Sequence, residues 1–222
     1  MSSAFEIQYV PKQMAVFTTI LEDHVQFNKY MKDVILNHRR ENPATTKSNV
    51  KAWHSSWVTH QQNPNFQPLV DLTLNACNFI AAGYYEGGDT IEYNVINLWA
   101  MMYEDTEWTK KHSHFPSDFA ACYYVDVEPG CAPVIFESVE KDGVNDNNQP
   151  LTLQPQNGML AIWPAILHHE VPPTKGRRMC VSMNIEKGSR STHQEKQKEM
   201  GYNNLPWIFL RIQRGSSGVP VS

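Results

Sequence analysis

Hydrophobic periodicity changes once along this chain, from a repeat near 3.6 to a repeat of two, and that change leaves few architectures open. Early in the chain the apolar residues recur at helical spacing. Val25, Phe27, Met31, Val34 and Ile35 form one stripe over 24–40, with Asp23 placed to cap its start and His38-Arg39-Arg40 at the end where the helix dipole favours cations. Leu69, Leu72, Leu74, Cys77, Phe79 and Ile80 form a second stripe over 66–83. From Ile91 the pattern alternates, in runs from Ile91 to Trp99, Phe119 to Val127, Val134 to Phe136, Leu160 to Trp163, His168 to Val171 and Arg178 to Ile185. Turn signals separate these runs: Glu128-Pro129-Gly130, Asp142-Gly143, Gln156-Asn157-Gly158 and Pro172-Pro173-Thr174-Lys175-Gly176. Helices followed by many short strands predict an α+β protein with a jelly-roll core covered by N-terminal helices.

At 222 residues the chain reads as one domain, with a helical N-terminal support over 1–88, the jelly-roll core over 89–186 and a C-terminal extension over 187–222. It is long enough to bury a core without disulfides or a structural metal, so a metal site would be functional. The 19 Lys+Arg against 23 Asp+Glu leave a net charge of −4, which argues against a nucleic-acid partner. Four cysteines show no C-x-x-C pairing, as expected of thiols in a reducing compartment. The start lacks a basic segment before an apolar run, and no stretch reaches the ~18 uncharged residues of a membrane span; the expectation is a cytoplasmic protein without a membrane partner. Leu205-Pro206-Trp207-Ile208-Phe209-Leu210 is apolar enough to pack back on the domain or to form a homodimer contact.

The chemistry-bearing residues cluster in the second half. Histidine is the commonest transition-metal ligand, and two of them at i and i+2 on a strand share a face, as His112 and His114 would. Beside Lys110 and Lys111 the same pair also fits a solvated edge. A second source of histidine is the segment from Gly158 to Val171, in which an apolar strand turns at Pro164 and returns through His168 and His169. On the last strand Met179, Val181, Met183 and Ile185 alternate with Arg178, Cys180, Ser182 and Asn184, so one face is apolar and the other suits the lining of a functional cavity. A buried Arg178 needs an anion, supplied either by an internal carboxylate or by a ligand. Tyr124 shares parity with Ala120 and Cys122, and its phenol could hold the same anion. Trp99, Trp108 and Trp163, with Met101 and Tyr103, read either as the walls of a dry pocket or as plain core.

Taken in order, His-x-His, Tyr-Tyr-Val, Trp-Pro-x-x-Leu-x-His-x-Val and Arg-x-x-x-Ser-x-Asn resemble the 2-oxoglutarate and Fe(II)-dependent oxygenase family found in bacteria and phages. Upstream, Ser48-Asn49-Val50-Lys51-Ala52-Trp53-His54-Ser55 and Asn97-Leu98-Trp99 are similar to further segments of that family, so the likeness spans roughly 47–185. The resemblance implies a double-stranded β-helix with one iron chelated by 2-oxoglutarate, whose decarboxylation to succinate and CO₂ is coupled to oxidation of a substrate C–H, with hydroxylation as the outcome implied. Carried over by position, it makes His112 and His169 iron ligands with His114 in the second ligand position, Arg178 the cosubstrate anchor, and Tyr124 and Ser182 its companions. The nine-residue step from His169 to Arg178 is similar to that in prolyl-hydroxylase-type enzymes. Trp53, Asn97 and Trp99 become candidate substrate contacts, with the 47–55 segment as a lid. The substrate, a protein side chain or a small molecule, is left open alongside O₂ and 2-oxoglutarate as partners.

The sequence departs from that pattern in places. The wider superfamily has a carboxylate where His114 stands, and a carboxylate such as Asp118 could complete the site instead. Ala120-Ala121 replaces the usual Ser-Gly, Gly130-Cys131-Ala132-Pro133 a Gly-rich turn, and Cys180 a serine. Two rivals follow. A three-histidine, cupin-like dioxygenase would need no cosubstrate, and Arg178 would then be neutralised by the protein. A non-catalytic jelly-roll binding module would hold at most a structural metal.

Overall fold

The computed structural model describes residues 14–85, 87–137 and 150–188. The described chain runs β1 (Phe17–Ile20), α1 (His24–Glu41), β2 (Val50–Lys51), β3 (Trp53–His54), the single turn α2 (Thr59–Gln62) and α3 (Gln67–Tyr84). It continues through β4 (Glu92–Tyr103), β5 (Trp108–His112), β6 (Phe119–Val127), β7 (Val134–Phe136), β8 (Leu151–Leu153), β9 (Met159–Pro164), β10 (His169–Val171) and β11 (Arg178–Gly188). These strands make a six-stranded sheet, β1-β9-β6-β11-β4-β3, and a five-stranded sheet, β2-β5-β10-β7-β8. All named strand pairs are antiparallel. This is the double-stranded β-helix, with helices on the outside of the larger sheet.

Parity on the central strand β11 decides what faces what. Its register sets Cys180 opposite Met101 on β4 and Tyr124 on β6, and Ser182 opposite Trp99 and Cys122. Met179, Val181, Met183 and Ile185 therefore join Ala121, Tyr123 and Val125 on the outer face, in one core cluster with Met31, Val34 and Ile35 of α1 and Leu69, Cys77 and Ile80 of α3. Cys180, Cys122, Tyr124, Trp99, Met101 and Tyr103 face the smaller sheet, in a second cluster with Phe136 and Trp163. A slip of one residue would exchange the two sets, so burial on the helix side also fixes what lines the interior. Gly158, at the turn before β9, has φ +79°, and a Cβ there would fall 2.3 Å from Cβ of His24; the close approach ties the start of α1 to the edge of the sheet.

Both helices form where the stripes predict, but the stripes are narrower than the sequence suggests. Val25 is 72% exposed and Phe79 is 54% exposed, while Asn28 and His38 are buried in their place. Asp23 sits at the N-cap of α1 without a side-chain cap bond, and the His24 ring instead donates Nδ1–H to the carbonyl of Leu21. The N-terminal support is not purely helical: β1, β2 and β3 belong to the two sheets. These three strands, of two to four residues and set among helical and loop sequence, carry too little alternation to stand out from it. The Asp142-Gly143 turn, the extension beyond 188 and the apolar 205–210 segment lie outside the described residues. Among the described residues no helix is long and apolar enough to cross a membrane.

Candidate metal centre

His112 ends β5 and is paired in register with His169, the first residue of β10, so two imidazoles meet across adjacent strands with ring centroids 4.5 Å apart. His114 is not on that strand. The strand ends at His112, and His114 is held from the following loop by its backbone N–H, which donates to Ala165 O at 2.8 Å. That bond lays its ring parallel to His169, with centroids 5.0 Å apart and an interplanar angle of 11°. One nitrogen from each of the three histidines lies within 4.8 Å of the others, and His114 Nε2 is 3.3 Å from His169 Nε2. Nitrogens bound about 2.1 Å from one metal at right angles lie about 3 Å apart, so the trio is spaced for a shared ion.

The other ring nitrogens are each committed. His112 Nδ1 donates to Lys110 O at 2.8 Å, His169 Nδ1 to Leu167 O at 3.1 Å, and His114 Nδ1 to Asn184 Oδ1 at 2.8 Å. Carbonyl oxygens only accept, so all three rings carry the proton on Nδ1 and turn a lone pair on Nε2 inward. Asn184 is itself oriented by Asn97, whose Oδ1 accepts from Asn184 Nδ2 at 3.1 Å. Burial, followed by the neighbouring imidazole, lowers the pKa of His114 to about 4. Burial and then His112 and His114 hold His169 well below the usual range, and burial also lowers His112. The rings are neutral at ordinary pH, as a metal requires.

The same cavity, of about 330 Å³, is lined by the three histidines and by Arg178. This side chain is 2% exposed. Its guanidinium lies between the rings of Tyr103 and Tyr124, at 5.2 and 5.1 Å, and Nη1 reaches Ala132 O at 3.4 Å. Among the described residues no carboxylate pairs with it. Arg178 Nε and the hydroxyl of Tyr124 are buried without a hydrogen-bond partner, on one cavity wall. Ser182 and Cys122 line the space beside them. Burial raises the Cys122 thiol, but Cys180, the Arg178 charge, Ser182 and Tyr124 outweigh that and lower it, while the same contact with Cys122 raises Cys180. An unpaired cation with an idle donor on each side is a socket for an external carboxylate.

The structure corrects some sequence expectations. Asp118 does not complete the metal cluster: its Oδ2 accepts from Lys187 N at 2.8 Å, its Oδ1 pairs with Lys187 Nζ at 3.6 Å, and it does not line the cavity. Trp53 does not line the cavity either; its ring is in the helix-side core with the Arg39 guanidinium 5.8 Å away. Its neighbour on the strand, His54, faces the other way and lines the cavity, as do Lys47, Asn49 and Trp57. Asn97 and Trp99 do line the cavity, Trp99 stacked between His54 and His114 at 5.7 Å from each. Trp163, Met101 and Tyr103 are wall residues, whereas Trp108 faces outward under Lys110. No local pattern signals the partnership of Asn184 with His114, although Asn184 shares parity with Arg178 on the last strand.

Residues 97–184, which hold all three histidines and Arg178, match the family model described as Putative 2OG-Fe(II) oxygenase. No curated protein matches the chain by sequence. Among solved structures, a prolyl-4-hydroxylase from Pseudomonas putida aligns with a TM-score of 0.59 at 10% identity, over 79% of this chain and 94% of that one. A prolyl hydroxylase from Trichoplax adhaerens, in complex with a hypoxia inducible factor oxygen degradation domain peptide fragment, aligns with a TM-score of 0.55 at 13% identity, over 85% and 87%. HygX from Streptomyces hygroscopicus, with nickel and 2-oxoglutarate bound, aligns with a TM-score of 0.54 at 8% identity, over 78% and 82%. At these identities the structural likeness speaks for the fold.

Proposed function

We propose that this protein, an Fe(II)- and 2-oxoglutarate-dependent oxygenase, holds its iron on His112, His114 and His169 and anchors the far carboxylate of 2-oxoglutarate on Arg178 and Tyr124, with Ser182 alongside. One observation carries the reading: Arg178 is buried, without a carboxylate partner among the described residues, in the same cavity as three convergent, neutral imidazoles. A three-histidine dioxygenase without cosubstrate gives that guanidinium nothing to bind, and a structural metal site would be closed by a fourth protein ligand. Among the described residues no fourth ligand joins the cluster.

When bound, iron with 2-oxoglutarate supplies activation of O₂ and oxidation of a C–H bond, with succinate and CO₂ as coproducts. The chain's own work is positional. Its three imidazoles present unprotonated Nε2 atoms and leave the remaining coordination positions free for cosubstrate and oxygen. Arg178 and Tyr124 orient the cosubstrate by a charge-assisted contact and a phenol hydrogen bond. Trp99, Trp163 and Phe136 keep water from the centre; the Trp163 and Phe136 rings lie 5.0 and 5.5 Å from that of His169. Hydroxylation is the outcome we favour, in the cytoplasm, where the four buried, unpaired thiols would remain reduced.

The test is anaerobic addition of Fe(II) and then 2-oxoglutarate to the metal-free protein, following the visible charge-transfer band. Wild type develops the band, His169→Ala does not, and Arg178→Ala requires far more cosubstrate. Iron binding without the band would favour the three-histidine enzyme; failure to bind iron would favour the binding module.

A further inference from the structure

Above the metal cluster the cavity wall is a ladder of rings. His114 stacks on Trp99 at 5.7 Å, Trp99 meets Trp57 edge-on at 4.4 Å, and the ammonium of Lys47 lies 4.2 Å from the centre of the Trp57 ring. His54 braces this wall, 4.9 Å from Trp57 and 5.7 Å from Trp99, and is locked by the bond from its Nδ1 to Ser55 O at 2.5 Å. Lys47 lines the cavity, yet among the described residues it makes no ion pair and no hydrogen bond. Its contact with the Trp57 face keeps the ammonium at the mouth instead of in open solvent, and partial burial lowers its pKa. Across the mouth the lining carboxylate, Glu186, accepts from Ser117 Oγ at 3.2 Å.

Two cations, Arg178 and Lys47, and one carboxylate, Glu186, line this cavity, and among the described residues Glu186 makes no ion pair with Lys47. Arg178 is at the floor and Lys47 at the mouth, and the cluster between them consists of neutral imidazoles without a carboxylate. Two carboxylates of 2-oxoglutarate would answer the metal and Arg178, which leaves Lys47 unanswered. A cation held against an aromatic ring, partly desolvated and lining the cavity, gains most from an anion that brings its own apolar body along the Trp57–Trp99 wall.

We propose that the cavity mouth is an anion subsite for the substrate, in which Lys47, seated on Trp57, binds a carboxylate or phosphate at the end of the substrate remote from the C–H that reacts. The inference rests on the oxygenase reading and narrows its substrates to anionic molecules or acidic peptides with an apolar segment.

Calorimetric titration of the full chain with benzoate, phenyl phosphate and neutral benzamide tests this in two forms that remove the competing Arg178 site: the metal-free Arg178→Met protein, and the wild type loaded with Zn(II) and 2-oxoglutarate so that Arg178 is occupied. At least one of the two anions binds ten or more times tighter than benzamide in both forms, and the tighter of them identifies the group. Lys47→Gln reduces the anion to the level of benzamide, whereas Lys47→Arg keeps most of the preference. Equal binding of benzoate, phenyl phosphate and benzamide, absence of binding by both anions, or an unchanged preference in Lys47→Gln would overturn the proposal. The cosubstrate reading fails separately: it is lost if 2-oxoglutarate binding to the Zn(II) form survives Arg178→Ala, a result that leaves the Lys47 comparison in the metal-free protein intact.

Discussion

Replacing Arg178 with methionine should move stability and cosubstrate affinity in opposite directions. The guanidinium is 2% exposed, and a buried, unpaired cation costs several kcal/mol. Offsetting this are two ring contacts, at 5.2 and 5.1 Å, worth about 2 kcal/mol each when desolvated, and a 3.4 Å bond to Ala132 O worth about 1 kcal/mol or less. The native terms nearly cancel. Methionine is unbranched and needs no anion, and although it is shorter by the end of the guanidinium its thioether can still pack near the same tyrosines for about 1 kcal/mol. Arg178→Met is therefore expected to leave the metal-free protein equally stable or up to about 3 kcal/mol more stable. Removing one partner of a buried charge pair costs about 2–5 kcal/mol, so 2-oxoglutarate affinity should fall by about 30-fold to several thousand-fold. Urea unfolding followed by tryptophan fluorescence reads the first effect, and anaerobic titration of the Fe(II) protein reads the second. A variant destabilised by about 3–5 kcal/mol that still binds 2-oxoglutarate normally would refute the argument, because Arg178 would then be a structural cation with an internal partner.

Three further expectations follow from the site. Asn184→Ala leaves His114 Nδ1 without its acceptor, so metal affinity measured by competition with a chelator should fall about 10–100-fold with the fold intact. Asp118→Asn should leave metal affinity unchanged, since the carboxylate is spent on Lys187, and a tenfold loss there would reinstate Asp118 as a ligand. Burial lowers the His54 pKa to about 4 from 6.5, so as pH falls the unfolded chain takes up its proton first and stability is lost between those two values. The loss attributable to this residue is about 3 kcal/mol over the whole window and about 2 kcal/mol by pH 5, and urea unfolding of His54→Gln at pH 7 and pH 5 should show that much less pH dependence than wild type.

The two helices and the long strands were legible because their signals are local. Period two on β6 and β11 places Tyr124, Cys122, Arg178, Ser182 and Asn184 on one face wherever the strands are docked, and the structure puts all five in the cavity. The motif order likewise indicated His112, His114 and His169. The short strands β1, β2 and β3 were not legible, and the choice between Trp53 and His54 as the inward residue depends on which strand their two-residue segment pairs with, here β4 through Met102 and Met101.

Sequence by itself thus determined the class of fold, the inner face of each long strand and the residue types able to bind a metal and an anion. Tertiary structure alone decided how they meet. His114 reaches the cluster through a backbone bond to Ala165, and its proton is set by Asn184, seventy positions away along the chain. That no carboxylate among the described residues pairs with Arg178 is a property of everything packed around it, which excludes Asp118 and encloses Tyr103 and Tyr124. Periodicity records which side of an element is buried, but the convergence of three ring nitrogens and the isolation of a charge depend on contacts between segments far apart in sequence, which no local pattern encodes.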